Sequence, residues 1–191
     1  SFTLVSNLSL LNKEMIDFIV KNNVGLCTSI DGNRHTHNIH RKIMNRGTFS
    51  LTMKKRELMQ NLGINVPFIS VVTRRTIRHY KSIIDFAVSL KQDVVIINPV
   101  QPIGFARKEW EELGMDIDFF LGYYEKILDY TFQIMQNGYF IVERRFSIAI
   151  EKLFSHTDTS FTDFKNPCGA FFGQIAYDLN GDCLLYTSDA A

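Results

Sequence analysis

Four short apolar runs alternate with stretches of helical periodicity, and this alternation constrains the fold more than any other feature of the chain. Thr3 to Ser9 reads as a first strand. Asn12 then caps a helix whose apolar residues, Leu11, Met15, Ile16, Ile19 and Val20, recur three and four positions apart. Val24 to Ile30 predicts a second strand, with Val24, Leu26, Thr28 and Ile30 on one face and the small Gly25, Cys27 and Ser29 on the other. A polar stretch from Asp31 to Gly47 reads as a loop, followed by a basic helix around Ser50 to Leu62. The β-branched content of Ile64 to Thr73 makes it a third strand despite Pro67. Thr73 to Leu90 places Ile77, Tyr80, Ile84, Ala87 and Val88 along one helical stripe. Val94-Val-Ile-Ile97 is apolar throughout, as a strand covered on both faces would be.

Strands separated by helices imply right-handed crossovers and a parallel sheet, so the fold class is α/β. After Ile97 the pattern changes. A loop from Asn98 to Gly114 leads to two helices, near Asp116 to Asn137 and Val142 to Ser155, and a polar linker from His156 to Asn166 follows. Gly173 to Leu179 reads as a strand entering the hairpin signal Asn180-Gly181. The expected organisation is an α/β domain over residues 1–155 and the start of a second module over 156–182. Residues 183–191 form a tail that resembles the translation of a sequencing adapter, foreign to the fold.

Charge and composition exclude several functions. With 21 basic and 20 acidic residues the net charge is +1, which gives no overall field toward nucleic acid or an anionic membrane. No apolar run exceeds four residues, against the roughly 18 that span a bilayer. Three scattered cysteines, Cys27, Cys168 and Cys183, are no disulfide framework, so a reducing, cytoplasmic setting is expected.

In parallel α/β folds ligands bind at the carboxyl ends of strands. Those ends are Ser6-Asn7, Ser29-Ile-Asp31, Thr73-Arg74 and Asn98-Pro99. His35, His37 and His40 invite a metal reading, but the stretch reads as an irregular, solvated loop with only Asp31 near it. Cys27 reads as a small core residue. Cys168, in the turn Asn166-Pro-Cys-Gly-Ala170, has the setting of a metal or iron–sulfur ligand.

Six segments, in this order, resemble the radical S-adenosylmethionine (SAM) enzymes that carry a SPASM-type auxiliary cluster domain. They are Ser6-Asn-Leu-Ser-Leu-Leu11, Leu26-Cys-Thr-Ser-Ile-Asp-Gly32, Val71-Val-Thr-Arg74, Asn98-Pro-Val-Gln-Pro-Ile-Gly-Phe-Ala106, Asn166-Pro-Cys-Gly-Ala170 and Gly173-Gln-Ile-Ala-Tyr-Asp-Leu-Asn-Gly-Asp182. The likeness is greatest to the maturases of the His-Xaa-Ser peptide-modification system, relatives of the anaerobic sulfatase-maturating enzymes.

The resemblance implies the C-terminal part of a partial (β/α)6 barrel, about strands three to six, then helices and the start of a SPASM hairpin. The CxxxCxxC loop that holds the [4Fe–4S] cluster in this family is absent. Ser29 matches the serine of the family's Ser-hydrophobic-Asp-Gly motif and Arg41 the arginine four residues after His37; the resemblance gives both to the S-adenosylmethionine carboxylate. It has Asp31 shape the same loop and Asn98 lie near the adenine. Cys168 would ligate an auxiliary iron–sulfur cluster: twelve residues separate it from Gly181, within the family's range, but Tyr186 stands where the next cysteine belongs. The implied activity of the full enzyme is hydrogen abstraction by a 5′-deoxyadenosyl radical from a peptide or protein, with a His-Xaa-Ser repeat peptide as a candidate partner. Lacking the cluster loop, this chain alone would be inactive. A different reading makes it a non-catalytic α/β domain that binds peptides.

Overall fold

A computed structural model of the chain describes residues 2–155, 177 and 180–182. It divides into two units, Ser1–Arg144 and Arg145–Ala191. The elements of the first are β1 (Thr3–Val5), α1 (Lys13–Lys21), β2 (Gly25–Ser29), α2 (Arg34–His40), β3 (Lys42–Ile43), β4 (Arg46–Gly47), α3 (Phe49–Asn61), β5 (Phe68–Val72), α4 (Tyr80–Ser89), β6 (Val94–Val95), β7 (Ile97–Pro99), α5 (Phe105–Lys108), α6 (Trp110–Leu113), α7 (Ile117–Gln136) and β8 (Val142–Glu143). The last helix, α8 (Arg144–Phe154), begins at the boundary and runs through the described part of the second unit.

The main sheet is parallel throughout, in the order β1-β2-β5-β7. Its register explains which side chains are covered. Thr28 pairs with Phe68 and Ser70 with Ile97, while Ser29 pairs with Ile69 and Val71 with Asn98. Because side chains alternate along a strand, the first set lies on one face and the second on the other. Leu26, Thr28, Phe68, Ser70, Val72 and Ile97 are buried; Ser29, Ile69, Val71 and Asn98 are half-buried.

Two apolar clusters form the core. Leu8, Leu11, Ile19, Leu26, Met59 and Val66 pack α1 and α3 on β2. Ile30, Phe68, Val72, Ile83, Ile84, Ala87, Ile97 and Ile127 join the sheet to α4 and α7. The less covered face of the sheet, among the described residues, carries Ser29 and Asn98.

Several elements differ from the sequence reading. The stretch from Asp31 to Gly47 is not an irregular loop but α2 followed by the two-stranded hairpin β3–β4. Asn33 Oδ1 caps α2 by accepting from Thr36 N at 3.1 Å, and Met44 and Asn45, both at positive φ, turn the hairpin. Val94–Ile97 is not one strand covered on both faces: β6 pairs with β8 and β7 with β5, with alternate residues only half-buried. The third strand starts at Phe68, since Pro67 has no N–H to donate, although its carbonyl accepts from Thr28 N at 3.0 Å. Thr73–Leu90 opens with a 3-10 turn, Ile77–His79, before α4, and Val142–Glu143 is a strand rather than the first turn of a helix. Two short helices, α5 and α6, interrupt the expected loop from Asn98 to Gly114. Cys168, the expected linker, most of the expected second-module strand and the 183–191 tail lie outside the described residues.

Candidate functional site

The site grows from the turn after β2. Ser70 Oγ donates to Ile30 O at 2.6 Å, which fixes the chain as it leaves the sheet. Gly32 follows at φ +93, with a would-be Cβ 3.2 Å from the Ile83 backbone, so the turn over α4 requires glycine twice over. Asn33 then caps α2, and that short helix brings Arg41 back beside Asp31.

Asp31 is the organising acid. Its side chain is 5% exposed, and Arg41 donates to it through Nε at 2.5 Å and Nη2 at 3.1 Å. Asp31 Oδ1 also accepts from Val71 N at 2.9 Å, which ties the turn to β5. Two donors of the guanidinium are thus used inside the protein, and Nη1 is left without a partner among the described residues.

His37 is buried, not solvated, and its hydrogen bonds define its state. Thr48 Oγ1 donates to Arg41 O at 3.1 Å, so it accepts from His37 Nε2 at 3.1 Å. Nε2 therefore carries the proton, and Nδ1 is free to accept from Asp31 N at 3.3 Å. Burial is the main cause that holds the imidazole down to a pKa of about 4; the Asp31 carboxylate opposes it and Arg41 assists it. A neutral His37 thus links the backbones of Asp31 and Arg41 through Thr48.

Two further contacts lock α2 in place. His40 Nε2 lies 2.9 Å from Thr73 Oγ1, and burial, then the Arg75 charge, holds His40 below its ordinary pKa. Asn38 Oδ1 accepts from Phe49 N at 3.1 Å, capping α3 from outside. Gly47 makes room for that amide, since a Cβ there would stand 2.1 Å from the Asn38 side chain.

Ser29, His37, His40, Arg41, Thr48 and Asn7 line one hollow of about 230 Å³ at the carboxyl ends of β1 and β2. The Ser29 hydroxyl has no hydrogen-bond partner among the described residues, so the hollow is lined by a serine with an unused hydroxyl and by an arginine with one unused guanidinium nitrogen. That pairing suits a carboxylate. The volume falls below the roughly 300–1,000 Å³ of complete small-molecule sites, which is room for one end of a ligand.

The other expected positions are distributed differently. Asp31 does not line the hollow; its carboxylate holds Arg41. Asn98 shares the open face with Ser29 but sits two strands away, roughly 10 Å at the usual strand spacing. Arg74 turns from the site: its Nε donates to Gly114 O at 2.8 Å and its guanidinium lies over the Phe119 ring at 5.1 Å. Cys27 is buried on β2 and burial pushes its thiol up, which does not suit a cluster ligand. In the sequence His37 and His40 are weighed only as metal ligands and set aside as a solvated loop, and Asn38 and Thr48 are not singled out. The signal that could have found them is Gly32-Asn33, a turn and a helix cap in succession.

Among solved structures, the chain matches native anSMEcpe, an anaerobic sulfatase-maturating enzyme, with bound AdoMet. The TM-score is 0.68 at 19% identity, over 84% of this chain and 45% of that one. It also matches anSMEcpe with bound AdoMet and Kp18Cys peptide, with a TM-score of 0.65 at 21% identity over 81% of this chain and 44% of that one. The first unit has the partial radical SAM fold of these enzymes. The chain spans under half their length. No protein-family model matches the chain, and no curated protein matches it.

Proposed function

We propose that this chain is part of a radical SAM enzyme that modifies a peptide or protein, and that its hollow takes the amino-acid end of S-adenosylmethionine. One observation carries the reading: Ser29 and Arg41, brought together from β2 and the end of α2, leave a free hydroxyl and a free guanidinium nitrogen in one hollow of a radical SAM fold. The residues fit the cofactor at that end. Arg41 binds the carboxylate, Asp31 aims Arg41, and neutral His37 keeps the two backbones in register. The half-buried open face of β2, β5 and β7 leads from Ser29 to Asn98, the proposed neighbour of the adenine. S-adenosylmethionine supplies hydrogen-atom abstraction in enzymes of this kind; the chain's own part is to bind and orient it.

Cys27 does not fit an iron–sulfur cluster, and Cys168, proposed as an auxiliary-cluster ligand, lies outside the described residues. A peptide as partner is supported by the peptide bound in the similar anSMEcpe structure; a His-Xaa-Ser repeat peptide is a narrower form of the same proposal. Among the described residues no helix is long and apolar enough to cross a membrane, and a cytoplasmic setting is proposed on cysteine usage. The alternative, a peptide-binding domain without a cofactor, leaves the Ser29–Arg41 pairing unexplained.

Calorimetric titration of the purified chain with S-adenosylmethionine tests the proposal. Saturable binding is expected, weakened about tenfold in Arg41→Lys, which keeps the charge but loses the planar fork. Ser29→Ala should lose about threefold to tenfold, the worth of one hydrogen bond. Absence of saturable binding, or an affinity in both variants equal to that of the natural chain, sinks it.

A further inference from the structure

The net charge of +1 conceals a strong segregation. Between Gly32 and Ile84 there are eleven basic residues and one acid, Glu57, which leaves ten basic and nineteen acidic residues for the rest of the chain. The fold gathers part of that excess at one place. Arg34, His35 and Asn38 on α2, Lys42 on β3 and Arg75 after β5 line a cavity of about 840 Å³. His35 meets His79 edge to face, with ring centres 6.1 Å apart, and the exposed Arg78 precedes His79 in the chain. The Arg78 charge and the His35 ring add to burial in holding His79 below its ordinary pKa.

The charges of this cavity are largely unspent. Arg75 pairs with Glu112 at the rim. Arg34 donates to Ser50 Oγ at 2.6 Å and lies over the Phe49 ring at 5.6 Å, contacts that hold the guanidinium without neutralising it. Among the described residues, Arg34, Lys42 and Arg78 have no carboxylate partner. Lys42 also lines the Ser29–Arg41 hollow, so the cavity and the hollow share a wall.

We propose that the cavity lined by Arg34, Lys42 and Arg75, with Arg78 adding charge nearby, is a docking cleft for an acidic segment of a peptide, whose side-chain carboxylates form ion pairs with these cations. The choice of peptide over other polyanions rests on the functional reading above. Its size suits a few residues of extended chain, and the similar anSMEcpe structure holds a peptide together with AdoMet. A single-stranded nucleic acid would want exposed aromatic platforms for its bases; the phenyl ring in contact with Arg34, Phe49, is half-buried beneath it. The open field draws a negatively charged segment in, and the fixed guanidinium of Arg34 then sets its register.

Fluorescence anisotropy tests the cleft with a labelled decapeptide of alternating Glu and Gly, its Gln counterpart and a ten-residue thymidine oligonucleotide. The Glu peptide is expected to bind and the Gln peptide not, with affinity falling as salt rises from about 50 to about 200 mM. Arg34→Glu with Arg78→Glu should weaken the Glu peptide about tenfold or more. Lys13→Glu with Lys21→Glu, an equal change of net charge on α1, should cost under about threefold. Lys42→Gln gives a milder second variant if the double reversal fails to fold, and should weaken binding severalfold. Equal binding of the Gln peptide, an equal loss from the α1 pair, or tighter binding of the oligonucleotide than of the Glu peptide overturns the proposal. Calorimetry with S-adenosylmethionine on the same samples separates the two readings: the Arg34/Arg78 variant should keep its cofactor affinity, and loss of cofactor binding with retained peptide binding removes the functional reading alone.

Discussion

The two helices that flank β2 are held by different forces. α1 buries Ile19 against Leu8, Leu26 and Met59, and its boundary is set by Asn12, whose Oδ1 accepts from Met15 N at 2.9 Å. α2 has seven residues, Arg-His-Thr-His-Asn-Ile-His, and buries Thr36 and His37 instead of apolar groups. A peptide so short and so poor in apolar residues would not be helical alone. It is helical here because its polar groups are consumed by Asp31, Thr48, Thr73 and Phe49 N. The apolar stripe builds the scaffold, and the polar helix builds the site.

That division can be tested by substitution, beginning where the effect is greatest. Asp31→Ala strands the Arg41 guanidinium and the Val71 N–H, and is expected to lower unfolding free energy by about 3–5 kcal/mol in urea titrations. A loss below about 1 kcal/mol would mean that α2 does not depend on this network.

Next comes a pH effect centred on α2. The folded chain protonates His37 only near pH 4, against 6.5 ordinarily, so the unfolded chain takes up the proton first as pH falls. The stabilisation is complete above about pH 6.5 and is lost progressively toward pH 4, by about 3 kcal/mol. His40 and His79 shift in the same direction. Urea midpoints at several pH values should show the decline in the natural chain and most of it gone in His37→Phe; an unchanged profile in that variant would remove His37 as its cause.

The smallest effect belongs to α1. Asn12→Ala removes one cap and should cost about 1 kcal/mol. S-adenosylmethionine affinity should not change. If it falls with the cap, the separation of scaffold from site is wrong.

The same division governed what could be read from the sequence. α1, α4 and α7 carry apolar residues at helical spacing, and the periodic signal placed α1, α7 and the end of α4 within a few residues. β5 shows the strand period in its burial as well as its composition. α2 has no such signal, so its histidines read as a loop; the cue was local, in Gly32-Asn33. Ser29, Asp31 and Arg41 were picked out by resemblance, but their division of labour was not. That Asp31 serves Arg41 rather than the hollow depends on a contact between residues ten positions apart across a helix. The strands β6, β7 and β8 failed for another reason: which partner a two- or three-residue strand pairs with depends on neighbours distant in the chain.

From its own pattern the sequence determined the α/β alternation, the parallel sheet and the helices that cover one face, because burying apolar surface at a fixed period is a local property of the chain. Which polar groups meet was decided only by tertiary structure. Hydrogen bonds and ion pairs are short and directional, so a Ser29 hydroxyl without a partner among the described residues, a neutral His37 and a wall that gathers Arg34, Lys42 and Arg75 exist only once the strands are laid side by side. The near-zero net charge illustrates the point: charges sum along a chain without regard to place, whereas a partner meets only those that the fold gathers on one surface.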